Sequence, residues 1–499
     1  MVSNVSLNSF DTSTIAQPSL KKRLGNGSIS VSAQKNEINF AGGIANYITH
    51  PVLALNVLPK LKNEADKDAF VKVYSAVDLQ GQADLKFLLN SGKLLSNDAD
   101  DGTSTLQNLA RILAEPRAKG LNSKVVLHDT LRALANPYTI TQNFGKLSPQ
   151  VAASIMKNAQ TAQFAKAVGL ETKTVSFAAK SQPNVNNPKD QLPEEYSVNA
   201  SGTCVAASTE FNLADKRPAE FARYAADLSG INMSVKEQFK FDDIDTNTLN
   251  AMYWLDQFNV DYAADNFTEG FVTLKPDDAA IFRAISQSQA RAKGTRSTID
   301  VLMQSTFMQL GSASSYNSLN DIRTGGFNQS NRGLTEFEKS MTEAIVDDKG
   351  GISSVTYQQV DDNAFLVAYN KDYQSTLMEI INSLKAGFNV VIGITETDSK
   401  AQIIGGHEIT VVGSEVDING KLIFICNDTD DDKDEPIRIP AEELIPKIHH
   451  AGIPNIVLKQ TPQQPVQQPI YIQKPITNTT NNVAKTAFLA DKSKLNMVV

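Results

Sequence analysis

The chain has 499 residues, of which 41% are hydrophobic and 20% charged, enough for two or three domains with ordinary cores. A formal charge of -8, with no basic stripe interleaved with aromatics, excludes nucleic acid as the principal partner. Two cysteines rule out a disulfide framework, and no run of 18 apolar residues is present to cross a membrane.

Residues 1–43 are rich in Ser and Asn, hold few large apolar side chains and read as disordered. Met1 to Lys22 has no apolar core for a signal peptide, so the protein is expected in the cytoplasm or exported without a recognisable signal. From 44 to 170 the apolar spacing is helical, as in Leu106-Leu109-Ile112-Leu113 and Leu127-Leu131-Leu134. Turns are marked at Ser91-Gly92, Asp100-Asp101-Gly102 and Asn136-Pro137. This predicts an all-helical domain, for which an inhibitory prosegment, a substrate-docking module and a partner platform are all open roles. His50 and His128 are read as structural. A Pro/Asn-rich linker over 171–195, through Gln182-Pro183-Asn184, marks a domain boundary.

A second domain is expected over 196–460. Ser201-Gly202-Thr203 runs directly into the small-residue stretch Cys204-Val205-Ala206-Ala207, which predicts a helix with Cys204 at its N-terminus. Free N–H groups and the helix dipole at such a position favour thiolate over thiol. Helices are predicted at about 217–228, 246–258 and 276–292, and the Gly/Ser/Asn-rich stretch 311–333 reads as a long loop. A further helix, a turn at Gly387 and a buried strand through Val390-Ile394 lead to Gly405-Gly406-His407. There two glycines are expected to open a β-branched strand and hold the imidazole at its mouth. The next strand, Lys421 to Cys426, ends at Asn427-Asp428, whose amide or carboxylate can orient His407. Side chains alternate along a strand, so only one of the two points inward, and Asn427 is favoured. A tight turn at Asn419-Gly420 would set His407 opposite a residue well beyond Asn427, so a wider loop or a bulge is required. Residues 461–499, opening Gln463-Gln464-Pro465, read as an extended tail.

The order Cys204, His407, Asn427 or Asp428, with a helix, Gly turn and buried strand before the Gly-His strand, resembles the papain-like cysteine peptidases. That includes the bacterial branch that cleaves double-glycine leader peptides. The resemblance covers two short blocks, 196–212 and 380–430. It implies an α+β fold in which a cysteine helix packs on an antiparallel half-barrel, here preceded by the all-helical domain and flanked by disordered termini. It also implies a peptide or protein substrate, Cys204 as nucleophile and His407 as base, with hydrolysis through a thioester. Acyl transfer or deamidation, and a non-catalytic binding scaffold on the same fold, are the alternative readings. The family's oxyanion-hole Gln, six residues before the cysteine, is Val198 here, and the neighbouring Asn199 is expected to supply the amide instead.

No cofactor or metal is implied. The acidic run from Asp428 to Glu435 fails as a calcium loop because Lys433 and Ile439 stand where Gly and Glu are needed, so it reads as a solvated rim. His449 and His450 are adjacent and on a helix would point about 100 degrees apart, making poor partners for one metal. Cys426, within an apolar strand, is expected in the core.

Overall fold

Helix signals in the N-terminal third act as the spacing predicts. In the computed structural model, α1 (Glu64–Ala76) is capped by Asn63, α2 (Leu79–Ser91) by Asp78, α3 (Thr105–Ala114) by a Ser104/Gln107 capping box and α4 (Ser123–Ala135) by Asn122. Gly92 ends α2 at φ 84°, a conformation that Cβ-bearing residues rarely adopt. The structure describes residues 60–143 and 202–460, apart from 62, 241–242, 257–270, 291–293, 313, 319–320, 324–332, 348–350, 362 and 432, together with 470–471. The expectations for 1–43, for the linker 171–195 and for His50 lie outside these residues.

After the linker come α5 (Cys204–Lys216), α6 (Pro218–Leu228), β1 (Val235–Gln238), α7 (Thr246–Asp256), β2 (Phe271–Leu274), α8 (Ala280–Ala290) and α9 (Thr298–Gly311). Within the expected 311–333 loop, β3 (Tyr316–Asn317) and β4 (Ile322–Arg323) form a short hairpin. Next in the chain are α10 (Glu336–Asp347), β5 (Ile352–Thr356), β6 (Gln358–Val360), β7 (Leu366–Tyr369) and α11 (Tyr373–Lys385). Then come β8 (Val390–Thr397), β9 (Ile403–Val416), β10 (Leu422–Asp428), β11 (Ile437–Pro440), α12 (Ala441–Leu444), β12 (Ile448–Pro454) and α13 (Asn455–Gln460). The last described strand, β13 (Ile470–Tyr471), pairs with β7, so this part of the expected tail is ordered strand.

The molecule is thus α+β, with two cores. The first is helical, and it runs without a break from Leu106, Leu109 and Leu131 of α3 and α4 to Val205 and Phe211 of α5, Phe221 of α6 and Leu302 of α9. The elements on either side of the expected 171–195 boundary therefore share one interior. The second core belongs to an antiparallel sheet ordered β11-β10-β9-β8-β12-β5, where Ile392, Ile409, Val411, Phe424 and Cys426 pack with Ile380 and Leu384 of α11. β8, β9 and β10 are consecutive hairpin neighbours, and α5 lies against β9.

The β9–β10 hairpin turns through Asp417 to Lys421, with Gly420 at φ 80°. Its register changes once, between Ile425 and Cys426, where a β-bulge enters: Ile425 pairs with Gly413, but Cys426 pairs with Val411. Continued unshifted, the first register would have set Asn427 opposite Val411 and on the face of His407. After the shift Asp428 is opposite Ile409, so Asp428 shares that face and Asn427 is turned to the other.

Candidate functional site

Cys204 is the first residue of α5, a helix so enclosed that every residue from Cys204 to Ala214 is buried. Ala207 N–H donates to Thr203 O to close the first turn, while the N–H groups ahead of it have no acceptor within the helix. The turn before the cysteine is held by buried charge rather than by a side-chain cap. Arg296, just before α9, and Asp321, in the β3–β4 hairpin, form an ion pair of 3.1 Å. From that pair the Arg296 guanidinium donates to Thr203 Oγ1, and Asp321 Oδ2 accepts from Gly202 N–H at 3.1 Å. Tyr316 O–H adds a bond of 2.6 Å to Asp321 Oδ1, and Thr203 Oγ1 donates to Gln304 Oε1 at 2.9 Å. None of these supports was visible in sequence, since their partners lie about a hundred positions away, Tyr316 and Asp321 within the stretch read as loop.

His407 lies on β9 opposite Ile394. The strand begins at Ile403, so Gly405 and Gly406 sit inside it rather than opening it. A side chain at Gly405 would meet only the Glu396 carboxylate, at 3.5 Å, so the strand beside His407 is bare. His407 Nε2–H donates to Asp428 Oδ1 at 2.7 Å, and Asp428 Oδ1 also accepts from Asp430 N–H at 3.0 Å. Nδ1 is then the ring nitrogen left for Cys204. Burial lowers the pKa of His407, but the hydrogen bonds and charges of Asp428 and Cys204 outweigh it and hold the imidazole well above its usual value. Burial raises Asp428, and the His407 hydrogen bond and charge outweigh that to keep it below the carboxylate range.

Asn427, favoured on sequence as the orienting residue, does not contact His407. It pairs in register with Thr410, is 2% exposed, and its Nδ2 has no hydrogen-bond partner among the described residues. The contact to His407 is made by Asp428, because the extra residue of the bulge, Val412 on β9, changes which of the two β10 residues shares the face of His407. Asn199 lies outside the described residues. Gln142 is buried, and its backbone N–H donates to the carbonyl of Thr429, next to Asp428, at 2.8 Å. Its neighbour Thr141 accepts from Gln304 Nε2 at 3.0 Å, and Gln304 in turn holds Thr203. Gln142 thus enters between the two halves of the site from the N-terminal helical segment, which sequence treated as separate.

Cys426 is fully buried in the sheet core, and burial pushes its thiol pKa far up, as befits an unreactive packing residue. The acidic run is docked at two places: Asn143 Nδ2 donates to Asp430 O at 3.3 Å, while Arg132 of α4 reaches Asp434 at 3.5 Å and Asn136 donates to Asp434 O at 3.0 Å. His128 is partly exposed beside Asp129. No helix is long and apolar enough to cross a membrane among the described residues. The chain matches no protein-family model, no curated protein and no solved structure.

Proposed function

We propose that this chain is a cysteine peptidase of papain-like type, with Cys204 as nucleophile, His407 as acid and base, and Asp428 as the residue that orients His407. The observation that carries the reading is the line of three groups: a cysteine at the start of a buried helix, an imidazole beside it, and a carboxylate 2.7 Å from the far ring nitrogen. One ordinary buried cysteine accounts for none of the other two placements.

In this reading Asp428 fixes the tautomer that leaves Nδ1 facing the thiol, and it stabilises the imidazolium that forms. The Cys204 thiolate attacks a peptide carbonyl carbon, and the carbonyl π pair moves to oxygen. That oxyanion lies where the first-turn N–H groups of α5 point. Imidazolium passes its proton to the leaving amine, giving the thioester. Water, deprotonated by the same imidazole, then hydrolyses it and restores the thiol.

The test is the pH dependence of Cys204 alkylation by iodoacetamide in a Cys426→Ser background, with and without His407→Ala. Rapid alkylation below pH 7 that disappears with His407→Ala is the expected result. Two superimposable curves with a midpoint near that of a free thiol, about 8.5, would sink the catalytic reading and leave a binding scaffold.

A further inference from the structure

On the face of β9 opposite His407, Glu408 points into a polar interior between the sheet and α10. Lys339 of α10, fully buried, donates to the Val391 carbonyl at 2.9 Å and lies 2.5 Å from Glu408 Oε1. The same interior holds two histidines. Sequence set them aside as neighbours that diverge on a helix, but they stand on β12, and its pairing with β8 shifts register between Ile448 and His450. At that irregularity the two rings meet edge to face at 85°, with His449 Nδ1 3.0 Å from His450 Nδ1.

Glu336, in the first turn of α10, completes a triad. Its Oε2 is 3.8 Å from His449 Nδ1, and one ligand atom from each of the three residues lies within 4.8 Å of the others. The carboxylate is aimed: Oε1 accepts from the hydroxyls of Ser354 and Thr356 on β5, which leaves Oε2 for the histidines. His450 is fixed as well. Its Nε2, buried and without a hydrogen bond among the described residues, lies 3.8 Å from Glu408 Oε2. Room for the ring exists only because residue 393 is glycine, where a Cβ would fall 2.2 Å from His450 Cε1.

We propose that Glu336, His449 and His450 bind a divalent transition-metal ion of the zinc class, tying α10 to β12 beneath the strand that carries His407. Two nitrogen ligands at about 2.0–2.1 Å in a tetrahedral site stand roughly 3.3 Å apart, close to the observed separation, and a two-histidine, one-carboxylate set suits zinc with water in the fourth position. Glu408 behind His450 is the outer carboxylate that such histidines use to fix their orientation. The second acidic cluster, Asp100, Glu220 and Glu237, is a contrasting case, since Arg217 and Arg223 already neutralise it.

The experiment is a Co²⁺ titration of the full chain carrying Cys204→Ser, so that the site thiol cannot bind the metal. The expected result is one equivalent bound with visible absorption bands of a four-coordinate ion, displaced by Zn²⁺, and a rise in the unfolding temperature with Zn²⁺. Glu336→Gln and His449→Gln should each weaken Zn²⁺ binding about 100-fold or more. Failure of the Cys204→Ser protein to bind Co²⁺ or Zn²⁺ overturns the proposal, as does binding that survives both substitutions. Should His449→Gln fail to fold, the isosteric Glu336→Gln carries the comparison.

Discussion

In the proposed mechanism three side chains decide what the site can do, and the ionisation of two of them, His407 and Asp428, is linked to stability in opposite senses. His407 is held above its usual pKa, so its pairing stabilises the fold fully below about 6.5, the unfolded value, and that contribution is lost as pH rises through the folded value. Asp428 is held below the carboxylate range, so its contribution is present above about 3.9 and is lost as pH falls through the folded value. Both are present together in the window between, from about pH 4 to beyond 6.5. Asp428→Asn should narrow the difference from wild type to nothing at either end of that window and show it in full inside, read as urea midpoints across pH. The same substitution should bring the His407 pKa down, which ¹H–¹⁵N NMR of the imidazole measures directly. For turnover, Asp428→Ala should cost about 10²-fold or more, while Asn427→Ala should leave kcat within a few-fold. Equal losses from the two would mean that the 2.7 Å contact is not the orienting one. Cys204 and His407 were legible in sequence because each sits beside local signals, a turn entering a helix and a pair of glycines in a β-branched stretch. The choice between Asn427 and Asp428 was not legible, because a single extra residue on β9, Val412, facing the step from Ile425 to Cys426, reverses the parity between the two strands beyond it.

At the scale of elements, the sequence revealed what depends on neighbours along the chain. Helical apolar spacing and turn signals placed α3, α4, α6 and the hairpin strands close to where they are found. It missed the elements whose role is set by distant partners. The stretch read as a loop over 311–333 contributes Tyr316 and Asp321, which with Arg296 hold the turn before Cys204. Gly/Ser/Asn composition marks turns correctly, but it carries no information about which buried charge a turn will meet. The Arg296–Asp321 pair is almost wholly enclosed, with the buried Arg283 beside it, so removing one partner leaves the others with unbalanced charge away from water. Arg296→Met alone should destabilise the protein by about 3–5 kcal/mol. Arg296→Met with Asp321→Leu should recover part of that in urea unfolding, because the two opposite charges are removed together. The double variant should still alkylate slowly at Cys204, since Gly202 N–H has lost its acceptor and Thr203 Oγ1 keeps only its bond to Gln304. Full stability with full reactivity would show that the pair serves neither the fold nor the turn.

At the scale of the whole molecule, the question is whether the N-terminal helices are a removable cover or part of the body. Their contacts with the rest are those of an interior. Leu106, Leu109, Ile112 and Leu131 are wholly buried in the same cluster as Val205, Phe221 and Leu302. Around it run specific polar links: Arg111 to Asp227 at 2.6 Å, Asn108 Nδ2 to Ala219 O at 3.2 Å, and Thr298 N–H to Asp129 at 3.0 Å. Gln142 N–H reaches the carbonyl beside Asp428, so the same segment also borders the site. Separating the pieces would expose large apolar side chains, each worth about 1.5–3 kcal/mol when fully buried, on both sides of the break. A prosegment is built to leave, and this surface is built to stay. The distinguishing experiment is a specific protease site inserted within 171–195 and cut in the purified protein. The two fragments should co-elute from a gel-filtration column under native conditions, separate only in denaturant, and retain the iodoacetamide reactivity of the uncut chain. Spontaneous dissociation with a gain in Cys204 reactivity would instead make the helices an inhibitor, and would place regulation of the site in residues 60–143 rather than in the sheet.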